Sequence, residues 1–230
     1  MNKIKTPKNL NIISYNLKYH RAFNELEKLA KTYQADVICM QECYSELLPN
    51  AMSGLKLADS TKINRLGLAI FYNPSRFKLI TSKSFRLKKS MYEKLVFSAD
   101  ERLLITKLFD KHSRQYIALG SFHATPLFGS NHIRRHQIET AHQLLSKFAF
   151  GTPAIMVGDY NYPLFRRGLK VCIEQTGYEL NFSDRPTYAI AKLLKAHFDL
   201  TTSINATIGQ VKTLPKGLSD HAPILVKALI

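Results

Sequence analysis

The sequence predicts an α/β fold in which mixed β-sheets pack face to face with helices outside, and three observations carry that prediction. Residues 10–17, 22–33 and 36–40 read as strand, helix and strand, and a helical crossover of that kind implies a parallel pair. Residues 68–72, 77–80, 103–109 and 116–122 then give four β-like segments with no helix between them, so antiparallel pairing must enter the sheets. Helices and strands alike are apolar on one side, which suits sheet packed on sheet with a helical cover.

The elements follow in order. Phe23, Leu26, Leu29 and Ala30 give the helix over 22–33 its apolar stripe. After the four β-like segments, Ile133, Ile138, Ala141, Leu144, Leu145 and Phe148 mark a second amphipathic helix over 132–148. Ala154-Ile155-Met156-Val157 is a buried-strand run that stops abruptly in Gly158-Asp159-Tyr160-Asn161. A weaker helical pattern covers 166–176, and strands are expected over 198–203, 206–212 and 223–229.

With 230 residues, 45% of them hydrophobic, the chain can bury a substantial core. No linker, low-complexity tract or fixed-period repeat divides it, so residues 1–230 are expected to form a single domain and a monomer. Lys and Arg number 33 against 17 Asp and Glu, a net charge of +16, which points to a polyanionic partner: nucleic acid first, an anionic membrane surface second. The basic residues Lys88-Lys89, Arg134-Arg135, Arg166-Arg167 and Lys192/Lys195 are spread out rather than fused into one tail. Cys39, Cys43 and Cys172 make neither an even disulfide framework nor a zinc spacing. The basic start, residues 1–8, lacks the features of a signal peptide, and no apolar run approaches the ~20 residues of a membrane helix. A soluble cytoplasmic protein is expected.

Chemistry gathers where the strands stop. In a strand alternate side chains share a face, so Asp159 and Asn161 can point at one spot, although Gly, Asp and Asn also end strands for local reasons alone. The first strand finishes near Asn16, the second at Gln41-Glu42, and another at His123, and α/β sites collect their polar groups at such ends. Near the C-terminus Ser219-Asp220-His221 offers a histidine beside a carboxylate, and Asp199, embedded between Phe198 and Leu200, is an acid in apolar surroundings that needs a partner. His221 is the candidate for that partner.

In this order, Asn16, Gln41-Glu42, Arg102, His123, Gly158-Asp159-Tyr160-Asn161, Asp199 and Ser219-Asp220-His221 resemble the motifs of the endonuclease/exonuclease/phosphatase superfamily over nearly the whole chain. The resemblance implies a four-layer α/β sandwich and metal-dependent hydrolysis of phosphodiesters, with DNA as the favoured substrate and a phospholipid or inositol-phosphate head group as the alternative. It implies that Glu42 holds Mg2+ or Mn2+ with Asn16 and Asp220 completing or supporting an oxygen-rich shell. His221, oriented by Asp199, acts as a base or as a protonated phosphate ligand, and Asp159 orients or deprotonates the attacking water. Asn161, Asn16 and His123 donate to phosphate oxygens. Arg102 is placed as a phosphate contact or as a surface ion-pair partner of Glu101 or Asp100. Arg134, Arg166 and Arg167 are expected to grip a nucleic-acid backbone, which would make binding salt-dependent.

The departures are as specific as the matches. Abasic-site endonucleases carry an acid two residues after the first asparagine, where this chain has Lys18. The form His123-x-x-Pro126 resembles the deoxyribonuclease I branch, yet no glutamate stands in the segment Asn64-Arg65-Leu66-Gly67 to pair with that histidine. The chain has no Trp, so the Trp-containing signature of the 5-phosphatases is absent.

Overall fold

A computed structural model describes residues 9–62, 64, 66–89, 99–190 and 194–230; the basic residues 1–8, Arg65 and Lys192 lie outside them. The chain opens with β1 (Asn9–Asn16), a 3-10 turn at Phe23–Glu25, α1 (Leu26–Thr32) and β2 (Val37–Cys43), and β1 and β2 pair in parallel as expected. Then come β3 (Ala51–Met52), β4 (Leu55–Ser60), β5 (Gly67–Tyr72), β6 (Phe77–Arg86), β7 (Glu101–Asp110) and β8 (Gln115–His123). The helix α2 (Asn131–Ala149) leads to β9 (Ala154–Asp159), which lies parallel to β8, and is followed by α3 (Arg166–Gln175). The chain closes through β10 (Glu179–Asn181), β11 (Tyr188–Ile190), β12 (Leu194–Ala196), β13 (Asp199–Ile204), β14 (Thr207–Thr213) and β15 (Ile224–Leu229).

Among the described residues these strands form a seven-stranded sheet in the order β14-β15-β1-β2-β5-β4-β3, a six-stranded sheet in the order β10-β13-β9-β8-β7-β6, and a small ribbon of β11 and β12. Side-chain alternation explains the layering. Ile12, Val37 and Cys39 of the first sheet meet Leu104, Leu119 and Ile155 of the second in a core between the sheets. Their neighbours Ile13, Ile38 and Met40 face the other way and pack with Leu26 and Ala30 of α1. On the far side of the second sheet, Ala118 and Met156 pack under Ile138, Ala141 and Leu145 of α2 and Leu169 of α3. Helix, sheet, sheet and helix make the expected four layers. No helix among the described residues is long and apolar enough to cross a membrane.

The differences from the sequence reading fall where polar edges hide the pattern. The helix expected over 22–33 is a 3-10 turn followed by the two-turn α1, because residues 18–20 adopt left-handed backbone and delay its start. The strand β4, next to the two-residue edge strand β3, has a mostly half-exposed side-chain pattern, so it carried no alternation to read. The strand expected to end at Ile80 continues as β6 through a polar stretch to Arg86, with a register shift between Leu79 and Thr81.

The parallel pairs β1/β2 and β8/β9 end on the same side of the molecule, and Gly158 sets how β9 arrives there. Its φ of +146° belongs to glycine, and a Cβ at this position would stand 1.9 Å from the Phe122 carbonyl oxygen of β8. Gly158→Ala is therefore expected to lower stability by about 2–3 kcal/mol, read as a fall in urea midpoint, because the clash is with backbone that cannot move aside. An unchanged midpoint would refute the assignment.

Candidate active site

Four strand ends supply one cluster. Asn16 ends β1, Glu42 is the penultimate residue of β2, His123 ends β8 and Asp159 ends β9. Between β13 and β9, Asp199 sits directly across from Asp159 in register. Asp220 and His221 come from the segment before β15, where Ser219 Oγ donates to the Asn16 carbonyl (2.6 Å) and accepts from the His221 amide (3.1 Å), which ties the C-terminal motif to the end of β1. Glu42 adopts φ +56°, a bulge in the β2/β5 pairing that turns its side chain into the cluster.

Asp159 Oδ2 is the hub. It accepts from Asn16 Nδ2 at 3.1 Å and lies 3.7 Å from both His221 Nε2 and His123 Nε2. Asp159 Oδ1 accepts from the Asn161 amide at 2.9 Å, so the alternation that placed Asp159 and Asn161 together ends in an Asx turn, with Asn161 at φ +49°. Asn16 Nδ2 also donates to Glu42 Oε1 at 3.2 Å, and His123 Nε2 stands 3.9 Å from the same oxygen. Behind the cluster His221 Nδ1 pairs with Asp199 Oδ2 at 2.8 Å. Tyr188 and Phe198 flank the His221 ring, and Thr187 Oγ1 accepts from the Phe198 and Asp199 amides. Ser219 belongs to the motif read in the sequence, whereas the supports Tyr188 and Thr187 left no chemical signature there.

The electrostatics divide the titratable groups. Burial pushes the Asp159 carboxyl well above the usual carboxylate range, with His221 opposing and Asp199 reinforcing the shift. Burial alone would depress the His221 imidazole, but the Asp199 and Asp159 carboxylates outweigh it and raise it to about 9. His123 goes the other way: burial, reinforced by Arg102 and His221, lowers it to about 3 and leaves it neutral. A proton acceptor, a proton carrier and a neutral imidazole thus face one space.

That space is a cavity of about 500 Å³ lined by Lys18, Glu42, Arg102, His123, Asp159, Asn161, Asp220 and His221 among others, with Tyr19, Leu127 and Phe128 at its wall. Asp220 faces it in an ion pair with Lys18 (3.0 Å). The described lining of the cavity presents no thiolate, and the Glu42 and Asp159 carboxylates converge on the Asn16 Nδ2 donor, a close pairing of oxygen ligands that suits a hard divalent cation. Among the described residues no three His, Cys, Asp or Glu side chains are already drawn into ligating geometry, so further positions would fall to water and phosphate oxygens.

The arginines need correction. Arg134 was expected to grip a nucleic-acid backbone, but it is 3% exposed and its guanidinium donates to the Thr125 and Pro126 carbonyls and to Asn131 Oδ1, where it braces the loop after β8. Arg102 lines the cavity, yet its Nη1 donates to the His123 and Ala124 carbonyls, so it positions the His123 loop rather than pairing on the surface. Arg166 and Arg167 are exposed at the start of α3, outside the cavity; Arg166 lies over the Phe182 ring at 5.2 Å.

The fold has relatives. The model of the Endonuclease/Exonuclease/phosphatase family matches residues 13–221. No curated protein sequence matches the chain. Among solved structures, an endonuclease/exonuclease/phosphatase from Bacteroides vulgatus superposes with a TM-score of 0.76 at 14% identity, covering 96% of this chain and 98% of that one. A mannosyl-6-phosphatase from Bacteroides thetaiotaomicron gives 0.75 at 14% identity, covering 96% and 100%. D. rerio TDP2, complexed with a single-strand DNA product, gives 0.72 at 16% identity, covering 96% and 99%. At these identities the likeness concerns the fold.

Proposed function

The chain belongs to the endonuclease/exonuclease/phosphatase family, and on that premise we propose that it is a divalent-metal-dependent phosphodiesterase acting on DNA. The observation that carries the reading is Asp159 Oδ2 with a histidine 3.7 Å away on either side, in a cavity that Glu42 also lines and with Asn16 Nδ2 bonded to it from behind.

Glu42 and Asn16 would hold Mg2+ or Mn2+, which when bound offsets charge on the phosphate and lowers the proton affinity of nearby water. The residues do the rest. Asp159, its proton affinity raised by burial, takes a proton from the attacking water as the new P–O bond forms. The ester P–O bond breaks, and His221, protonated at neutral pH, donates to the departing oxygen while Asp199 holds its ring. Asn161 and neutral His123 donate to nonbridging oxygens, where charge develops.

The net charge of +16 and the exposed Arg166-Arg167 pair favour nucleic acid, and the His123-x-x-Pro126 form inclines the reading to the deoxyribonuclease I-like branch. Leu127 and Phe128, the latter 84% exposed, favour a second reading: a head-group phosphoesterase whose mouth meets a bilayer. One panel separates them, in which plasmid, oligonucleotide and phosphoinositide vesicles are incubated with Mg2+, Mn2+, Ca2+ or EDTA. DNA cleavage with Mg2+ or Mn2+, abolished by EDTA and falling about tenfold or more between 50 and 200 mM salt, is the expected result. Vesicle hydrolysis with intact DNA would replace it with the second reading.

A further inference from the structure

Among the described residues, the proposed reaction leaves two charged side chains of the cavity without a task, Asp220 and Lys18. The lysine projects from a turn of unusual backbone: Lys18, Tyr19 and His20 have φ of 46°, 55° and 67°, three successive non-glycine residues in the left-handed region. Such strain persists only where surrounding contacts dictate it. Here they do. The Lys18 amide donates to Asn16 Oδ1 (3.0 Å), the Tyr19 amide to Glu42 Oε2 (3.1 Å) and the His20 amide to the Glu42 carbonyl (2.8 Å). The His20 ring stacks against Phe23 and Tyr44, and its Nδ1 accepts from the Tyr44 amide. The turn is thus bolted to Asn16 and Glu42, the two residues assigned to the cation.

What the turn delivers is an ammonium 3.0 Å from Asp220 Oδ2, with both side chains about one-third exposed and both lining the cavity. Asp220 takes no part in the hydrogen bonds that join Asn16, Glu42 and Asp159, and it is already charge-paired by the chain itself. We propose that Lys18 stands in for a second divalent cation: its ammonium balances Asp220, Asp220 ligates no metal, and the site takes one divalent cation, at Glu42 and Asn16. This inference rests on the phosphoesterase reading of the site and narrows it to a one-cation chemistry in which the lysine provides the remaining fixed positive charge.

The test is Mn2+ binding to the full chain without substrate, counted by titration calorimetry and by the loss of the free Mn2+ electron paramagnetic resonance signal. Wild type is expected to bind one ion. Asp220→Asn should still bind one, with affinity within about threefold of wild type, because the side chain it alters pairs with Lys18. Lys18→Asp keeps a residue type that tolerates left-handed backbone and sets a second carboxylate beside Asp220, so it should bind two. Two ions in wild type, a loss of about tenfold or more in Asp220→Asn, or a single ion in folded Lys18→Asp would each overturn the proposal; if Lys18→Asp does not fold, the first two measurements decide. Failure of the function reading is visible separately, as absence of hydrolysis across the substrate panel with the ion count unchanged.

Discussion

Asp159→Asn is expected to lower kcat by about 10³-fold or more with little change in stability. The carboxylate is the convergence point of Asn16, His123 and His221, and it combines burial-raised proton affinity with a place in the cavity. The amide keeps the volume and can still accept from the Asn161 amide, but it cannot take a proton. The lost bond from Asn16 Nδ2 costs about 1 kcal/mol, and removal of a buried charge offsets it, so the unfolding free energy should stay within about 1 kcal/mol of wild type. Full activity in the variant would remove Asp159 from the reaction; a collapse of stability would make its role structural.

Asp199→Asn probes the same chemistry from behind. In the wild type the two carboxylates hold the His221 imidazole at about 9, so the proton donor is present at neutral pH and is lost as pH rises through that value. Neutralising Asp199 removes the largest favourable charge and leaves burial, which lowers the pKa, opposed only by Asp159 and Asp220. The alkaline limb of the kcat profile should therefore move to lower pH in Asp199→Asn, with activity at neutral pH falling about 10²-fold. An alkaline limb that stays in place would show that His221 does not carry the titrating proton.

Residue chemistry was legible in the sequence where a site needs particular groups at strand ends, and geometry was not. Asp159, Asn161, Glu42, His123, Asp199 and His221 are side chains with few substitutes for their tasks, and each stands at or just past the end of an apolar strand, or at or just before the start of one, so type and position both showed. Arg134 misled because its neighbour Arg135 made a basic pair, while the carbonyls that bury it belong to Thr125 and Pro126, in a loop whose path no local pattern reveals. Lys18 was visible only as a departure; its partner Asp220 is 202 positions away, and the left-handed turn that aims it has none of the glycine that usually announces such backbone. The fold behaved alike. Strands buried on both faces declared themselves, whereas β4, next to the edge strand β3, and the second half of the edge strand β6, both polar, were set by pairing with β5 and β7 rather than by their own residues.

Arg76→Met is expected to cost about 3–5 kcal/mol, more than any other single substitution argued for here, though it lies far from the chemistry. Arg76 occupies the turn that carries the chain from β5 in one sheet to β6 in the other, and it is 5% exposed. Its Nε and Nη2 donate to Asp110 Oδ2 at the end of β7, and its Nη1 to Asp36 Oδ2 and the Asn9 carbonyl at the starts of β2 and β1. One guanidinium thus closes the sheets at the end opposite the site, and methionine would leave the fully buried Asp110 without its cation. The pH dependence gives the cause away. Burial would raise the Asp110 carboxyl, but the hydrogen bonds and charge of Arg76 more than offset it, so the folded pKa lies below the ordinary value. That contribution is complete above the unfolded pKa of about 3.9 and is lost as pH falls through the lower folded value. In Arg76→Met the Asp110 carboxyl rises instead and takes up a proton on mild acidification, so the stability gap from wild type should narrow as pH falls from 7 toward 5. Urea melts at the two pH values measure it. Arg76→Met/Asp110→Leu, which replaces the Asp110 pair with apolar volume, should be more stable than Arg76→Met alone; equal or lower stability, or a gap that ignores pH, would mean that the arginine stabilises through packing of its stem rather than through the charge pair.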